Sequence, residues 1–233
     1  MKFQVLLSQD NIDIDLANVD GIALCVSGGL DSGTLLYCLA ETITKHNAKT
    51  KIYAITTPNR NDSASGYYAG LVVAFIKRRF PKVEIEHIVS NMFRSGGLKA
   101  KESNKIIYNL YRQKKIQVFM DGVTMNPKTD DFVFIDPQKR YTKRIPERDT
   151  PLKREEIFPE EWGDIAGLRK IRPWNNIDKK GIAEITQQKN ITTRLLFITK
   201  SCTDQIQYKC GTCWWCQERA WAFNIDPKRL KLR

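Results

Sequence analysis

Two stretches of this sequence carry residue types whose spacing suits chemistry. In the first, Ser27-Gly28-Gly29-Leu30-Asp31-Ser32, the glycines let the backbone approach a ligand closely, and Ser27 and Ser32 add hydroxyl donors. Such a loop is an anion nest. A helix opening at about Ser32 aims unpaired N–H groups and the positive end of its dipole at the same spot, which favours phosphate or pyrophosphate. Asp31 repels phosphate by charge, so its expected role is to bind Mg2+ bridging phosphate oxygens, or else to fix the loop. No Gly-Lys-Ser/Thr follows, which excludes a Walker loop.

In the second stretch, Cys210-Gly211-Thr212-Cys213-Trp214-Trp215-Cys216, three cysteines stand at two-residue intervals, with Cys202 upstream. Four thiolates so spaced can reach the corners of a tetrahedron, with Gly211 permitting the tight turn of a metal knuckle. Zinc suits this better than an iron–sulfur cluster, whose ferredoxin run needs a fourth cysteine after the third and then a proline; Gln217, Glu218 and Arg219 follow here. A closed four-cysteine site leaves no open coordination position, so its metal would hold structure, contributing on the order of 10 kcal/mol to folding. Trp214, Trp215 and Trp221 are expected to pack the knuckle against the main domain, with base stacking by an exposed indole as the alternative.

The elements that must position these residues are legible from apolar runs. Gly21 to Val26 reads as a buried strand and Ser32 to Thr44 as the helix after the loop. The alternation continues with strands at Lys51 to Thr56, Val83 to Val89, Ile116 to Val123 and Leu168 to Arg172. Helices are expected at Ala64 to Arg79, Lys99 to Lys114 and Asp178 to about Lys189. This order predicts an α/β fold: a doubly wound, mostly parallel five-stranded sheet, with ligands beyond the strands' carboxyl ends. A main domain of residues 1–190 would carry an irregular insertion at about 126–162, and residues 191–233 would form the small C-terminal zinc knuckle. Lys2 to Asn18 alternates enough to add an edge strand.

A chain of 233 residues suffices for such a domain, burying roughly 70% of its unfolded surface. No apolar run of about 18 residues suggests a membrane span. The opening residues lack secretory-signal features, so a cytoplasmic, reducing setting is expected, with cysteines as thiols or metal ligands rather than disulfides. The net charge of +12 implies a polyanionic partner, a nucleoside triphosphate or a nucleic acid. Basic stretches at Lys77 to Arg79, Lys139 to Arg148, Arg169 to Arg172 and Lys228 to Arg233 are scattered, and read mainly as solvated faces. Cys25 and Cys38 read as small core residues, and His46 and His87 as ordinary surface or packed residues.

The loop Ser27 to Ser32 resembles the signature of the PP-loop ATP pyrophosphatases, of the adenine nucleotide alpha hydrolase-like fold. These split ATP between its α and β phosphates and pass AMP to a substrate oxygen. Together with Pro173 and Lys179 six positions later, Ser201-Cys202, and Cys210 through Arg219, it resembles one branch in particular, the 7-cyano-7-deazaguanine synthases of the queuosine pathway. The resemblance implies ATP, Mg2+ and zinc as cofactors. It also implies a reaction: adenylation of 7-carboxy-7-deazaguanine, displacement of AMP by ammonia to give the amide, then activation and dehydration of the amide to the nitrile. Lys179 becomes the candidate cation for the departing pyrophosphate. A homodimer is an admissible assembly, nucleic acid an optional partner. Lys2 stands where a glutaminase cysteine would, so ammonia is expected free or from a partner protein.

The chain departs from that family in its middle. A Tyr-Gly-Gln-Arg-His segment is replaced by Thr56 to Asp62, and a Gly, Asp and Tyr-Pro-Asp-Cys pattern is echoed only by Asp121, Gly122, Asn126 and Asp130 or Asp131. Acceptor selection is expected there. Two other readings compete: a PP-loop tRNA-modifying enzyme of the thiolase kind, and a nonenzymatic zinc-knuckle protein binding nucleic acid.

Overall fold

In the computed structural model the opening residues form a separate antiparallel hairpin, β1 (Lys2–Leu6) and β2 (Asn11–Asp15), instead of an edge strand of the main sheet. Strict alternation buries Phe3, Val5, Ile12 and Ile14 on one face, and a strand with one apolar face is satisfied by a hairpin as readily as by a sheet edge. The structure describes residues 1–58, 64–90, 97–134, 148–150, 152–200, 202 and 210–226. Ser201, Lys139 to Arg144, Lys228 to Arg233 and Asn59 to Ser63 therefore lie outside the described residues.

The main sheet has six strands in the order β5-β4-β3-β6-β8-β7. At its centre β3 (Gly21–Cys25) pairs in parallel with β4 (Lys51–Thr56) and β6 (Val118–Met120). Outside them lie β5 (Ile85–Val89), parallel to β4, and β8 (Arg169–Ile171), parallel to β6. These are the five expected strands. The sixth, β7 (Glu155–Ile157), runs antiparallel to β8 and forms an edge within the stretch expected to be irregular. Three residues, two of them acidic, carry no strand periodicity; pairing and the Arg169 Nε to Glu155 Oε1 bond of 2.7 Å hold them.

Helices cover both faces. Ile22, Leu24, Ile52, Ala54, Val118, Met120 and Ile171 share a core with α1 (Leu30–Lys45), α2 (Ala64–Arg79), α4 (Lys179–Gln188) and α5 (Thr192–Ile198). The alternate strand residues, Ala23, Tyr53, Ile55 and Phe119, pack with Leu168, just before β8, and with Ile107 and Leu110 of α3 (Gly97–Arg112). Runs buried on both faces explain why the parallel strands read as continuous apolar segments. The last element, α6 (Trp214–Ala222), follows the cysteines. Among the described residues no helix is long and apolar enough to cross a membrane.

Candidate functional site

Strand β3 ends at the reversal point of the sheet, with β4 on one side and β6 on the other, so a crevice opens beyond its carboxyl end. The loop from Ser27 fills that point. Ser27 and Ser32 hydroxyls lie 3.2 Å apart, the Ser27 N–H donates to Ser32 Oγ, and the Gly29 N–H donates to Ser27 Oγ at 3.3 Å. Gly29 is extended at the N-cap of α1 and no side chain caps the helix there, leaving its first N–H groups for an external anion. Leu30 turns into the core.

Two glycines make this geometry possible. Gly28 has φ +78°, and a Cβ on it would lie 2.6 Å from the Ser65 carbonyl oxygen of α2. At Gly122, just beyond β6, a Cβ would lie 3.1 Å from the Ser32 nitrogen. The loop is thus wedged between the start of α2 and the exit of β6. Lys200 donates its N–H to the Gly28 carbonyl at 2.9 Å, and Thr56 donates its hydroxyl to the Val26 carbonyl at 2.8 Å.

Asp31 and Lys179 are brought together as a direct ion pair. Lys179 opens α4, whose N-cap Asp178 accepts the Lys180 N–H at 2.7 Å; far from being a solvated lysine, it is 4% exposed. The pair belongs to a longer buried chain of charge. Glu218, on α6 and fully buried, places Oε2 3.7 Å from Lys179 Nζ and accepts from Arg148 through Oε1 at 2.7 Å. Arg148 in turn donates to the carbonyls of Thr124 and Met125 and to the Thr124 hydroxyl. The row Arg148, Glu218, Lys179, Asp31 alternates in sign, which is the condition under which buried charges are tolerated. Asp31 Oδ1 is buried without a hydrogen-bond partner, so one carboxylate oxygen at the loop is left to coordinate a hard cation such as Mg2+.

Glu218 and Arg148 were missed in the sequence. Arg148 ends a basic run read as solvated, yet it is buried, as is Arg172, whose Nη1 lies 3.1 Å from Glu156. Arg219, matched only as part of the cysteine motif, is also buried; burial pushes its pKa down to about 10, leaving it charged at neutral pH.

The four cysteines converge with all Sγ atoms within 4.8 Å of one another and all side chains buried. Cys210 and Cys216 sulfurs are 4.0 Å apart, Cys213 and Cys202 3.9 Å. One tetrahedral ion with bonds of about 2.3 Å needs sulfurs about 3.8 Å apart, whereas the irons of a cubane cluster would spread them further. The donor set therefore fits a single zinc. Backbone N–H groups of Cys210, Thr212 and Cys213 point at the sulfurs at 3.1 to 3.4 Å. Hydrogen bonding to Cys202 and burial raise the Cys213 and Cys216 thiols, Cys216 to about 12; a cation among them would add to the backbone N–H groups in stabilising thiolates.

The tryptophans pack as expected. Trp214 is buried edge-on to Phe132 at 5.1 Å, Trp221 contacts Phe132 at 5.4 Å and donates to the Asp131 carbonyl at 2.6 Å, and Trp215 lies under Arg148. Of the residues echoing an acceptor pattern, Asn126 is buried and donates to Asp149, whereas Asp130 and Asp131 are exposed. A shallow depression, with a volume of only about 10 Å³, is lined by Thr124, Arg148, Leu152 and Asn175 beside them. Thr57 bonds Ser103 at 2.8 Å. Burial pushes the Cys38 thiol up to about 12; Cys25 packs against α3's core, and His87 shares a hydrogen bond with Thr56.

No protein-family model and no curated protein sequence matches this chain. Among solved structures it is similar to the U34-tRNA thiolase NcsA from Methanococcus maripaludis with its 4Fe-4S cluster, at 12% identity and a TM-score of 0.49. That match covers 90% of this chain and 66% of the thiolase. It is also similar to the NAD+ synthetase from Burkholderia pseudomallei, at 10% identity and a TM-score of 0.39, covering 89% of this chain and 76% of that one.

Proposed function

We propose that this chain is an ATP-dependent adenylating enzyme, acting on 7-carboxy-7-deazaguanine and ammonia to form the 7-cyano base. The observation that carries the reading is the Asp31–Lys179 pair, which sets a metal-binding carboxylate and a cation against an anion nest at the carboxyl end of β3. The acceptor carboxylate oxygen attacks the α phosphorus of ATP, the bond to the bridging oxygen breaks, and pyrophosphate leaves. Lys179 and the N–H groups opening α1 stabilise the charge that gathers on it. Ammonia then adds to the acyl carbon and expels AMP, giving the amide. A second adenylation of the amide oxygen, followed by loss of AMP and a proton, leaves the nitrile.

Ser27, Gly29 and Ser32 would hold the phosphates and Asp31 a Mg2+ that neutralises them. Zinc held by Cys202, Cys210, Cys213 and Cys216 would fix the start of α6. The named acceptor rests on the joint pattern of Pro173, Lys179 and the run Cys210 to Arg219; the packing of Lys179 against Glu218 gives that pattern a physical unity. The thiolase-like alternative could use a sulfur-carrying cysteine; Cys38, buried and held as a thiol, does not suit that part, and Cys25, half-buried at the end of β3, packs among the apolar residues facing α3.

The test is to incubate the protein with ATP, Mg2+, ammonium and 7-carboxy-7-deazaguanine, following AMP, pyrophosphate and the base by mass spectrometry, with Asp31→Ala as control. Nitrile formation, lost in the variant, supports the reading, and arrest at the amide shortens it. AMP formation that instead requires tRNA transfers the assignment to the tRNA-modifying alternative.

A further inference from the structure

We propose that Glu218 is a positioning residue that offers Lys179 a second seat, releasing Asp31 to take up the nucleotide's Mg2+. The inference rests on the reading of the Ser27 to Ser32 loop as a Mg2+–nucleotide site. Lys179 is buried between two carboxylates: it is bonded to Asp31, and Glu218 Oε2 stands 3.7 Å away without a hydrogen bond of its own. A flexible lysine stem closes a gap of that size to normal hydrogen-bond length with a small shift.

Glu218 cannot make the corresponding move. Its Oε1 is held by Arg148 at 2.7 Å, and Arg148 is fixed by three further bonds to Thr124 and Met125. Two residues before it, Cys216 belongs to the metal-binding cluster, and Cys213 is the N-cap of α6. The fixed carboxylate therefore waits on one side of Lys179 while Asp31, half of its carboxylate unbonded, sits on the other. If Asp31 turns to Mg2+ before charge gathers on the departing pyrophosphate, and nothing else receives the ammonium at that stage, a buried cation is left uncompensated, which is strongly unfavourable. Glu218 removes that obstacle. The four-cysteine knuckle thereby acts on the phosphate loop through one side chain.

The probe is α,β-methylene-ATP, which is not cleaved at the bond in question, bound with and without Mg2+ and measured by calorimetry. Wild type is expected to gain about tenfold in affinity from Mg2+, and Glu218→Gln less than about twofold, with affinity in the absence of Mg2+ little changed. The Gln variant should keep one metal per chain. In a Lys179→Gln background the Glu218→Gln effect should vanish, because Asp31 then has no ammonium to release; a merely structural role for Glu218 would persist there. Should Glu218→Gln lose its metal, Glu218→Asp, which keeps the charge on a shorter stem, carries the same comparison with a partial gain expected. An undiminished Mg2+ gain in the Gln variant overturns the inference and leaves adenylation standing, as does a wild type without any Mg2+ gain. A wild type that shows the gain but turns over no ATP sinks the adenylation reading alone.

Discussion

Arg219 is clamped onto Thr199: its Nη1 donates to the Thr199 carbonyl at 3.1 Å and its Nη2 to the Thr199 hydroxyl at 2.8 Å, with a further bond to the Leu196 carbonyl. This ties α6 to the end of α5, one residue before Lys200 donates to Gly28 of the phosphate loop. Arg219→Ala removes three charge-assisted donors and leaves a cavity among buried carbonyls. It should destabilise the protein by about 3–5 kcal/mol, read as a lower denaturant midpoint with an unchanged slope. Arg219→Lys, which cannot reproduce the planar fork, should recover less than half of that loss.

The glycines of the fold divide into those that need to be glycine and those that do not. A Cβ on Gly28 would meet backbone at 2.6 and 2.8 Å and require a left-handed φ, so Gly28→Ala should cost about 2–4 kcal/mol and displace the loop from α2. Gly70, inside α2, has nothing within 4 Å of its added Cβ. Gly70→Ala should therefore raise stability by about 0.5–1 kcal/mol. Thermal unfolding of both variants checks the opposite signs, and equal effects would show that loop geometry is not what Gly28 supplies.

The parallel strands were legible because residues such as Ile22, Leu24, Ile52 and Ala54 face one helical layer while Ala23, Tyr53 and Ile55 face the other, producing unbroken apolar runs. The helix at Ala64–Arg79 was equally legible. Edges were not: Glu155–Ile157 is a strand by virtue of its partner, and the hairpin at the start needs a turn at Ser8 to Asp10 that an alternating pattern does not announce. At the site, loop and cysteines declared themselves by local spacing. Glu218 and Arg148 did not, because a lone charge next to a cysteine motif or at the end of a basic run looks solvated until the fold brings residues seventy positions apart into contact.

Asp121 offers a test of electrostatics at the exit of β6. Its carboxylate is mostly buried, with Lys170 Nζ and Arg172 Nε each 3.7 Å away and the Val123 N–H at 3.4 Å. Burial raises its pKa above the usual value of 3.8, outweighing the two cations that lower it. For an acid shifted in this direction the folded state binds the proton more tightly than the unfolded one. Its ionisation therefore costs stability at neutral pH, and that cost fades as pH falls through the raised folded value and is gone below 3.8. Asp121→Asn should unfold at a higher temperature than wild type at pH 7, because the amide fills the same space without a charge to desolvate. The advantage should shrink on acidification and be absent at about pH 3, below the unfolded-state carboxylate range. Midpoints of the two proteins measured side by side cancel the other carboxylates. An advantage that is constant with pH, or a variant less stable at pH 7, would mean that Lys170 and Arg172 stabilise the charged form more than burial disfavours it.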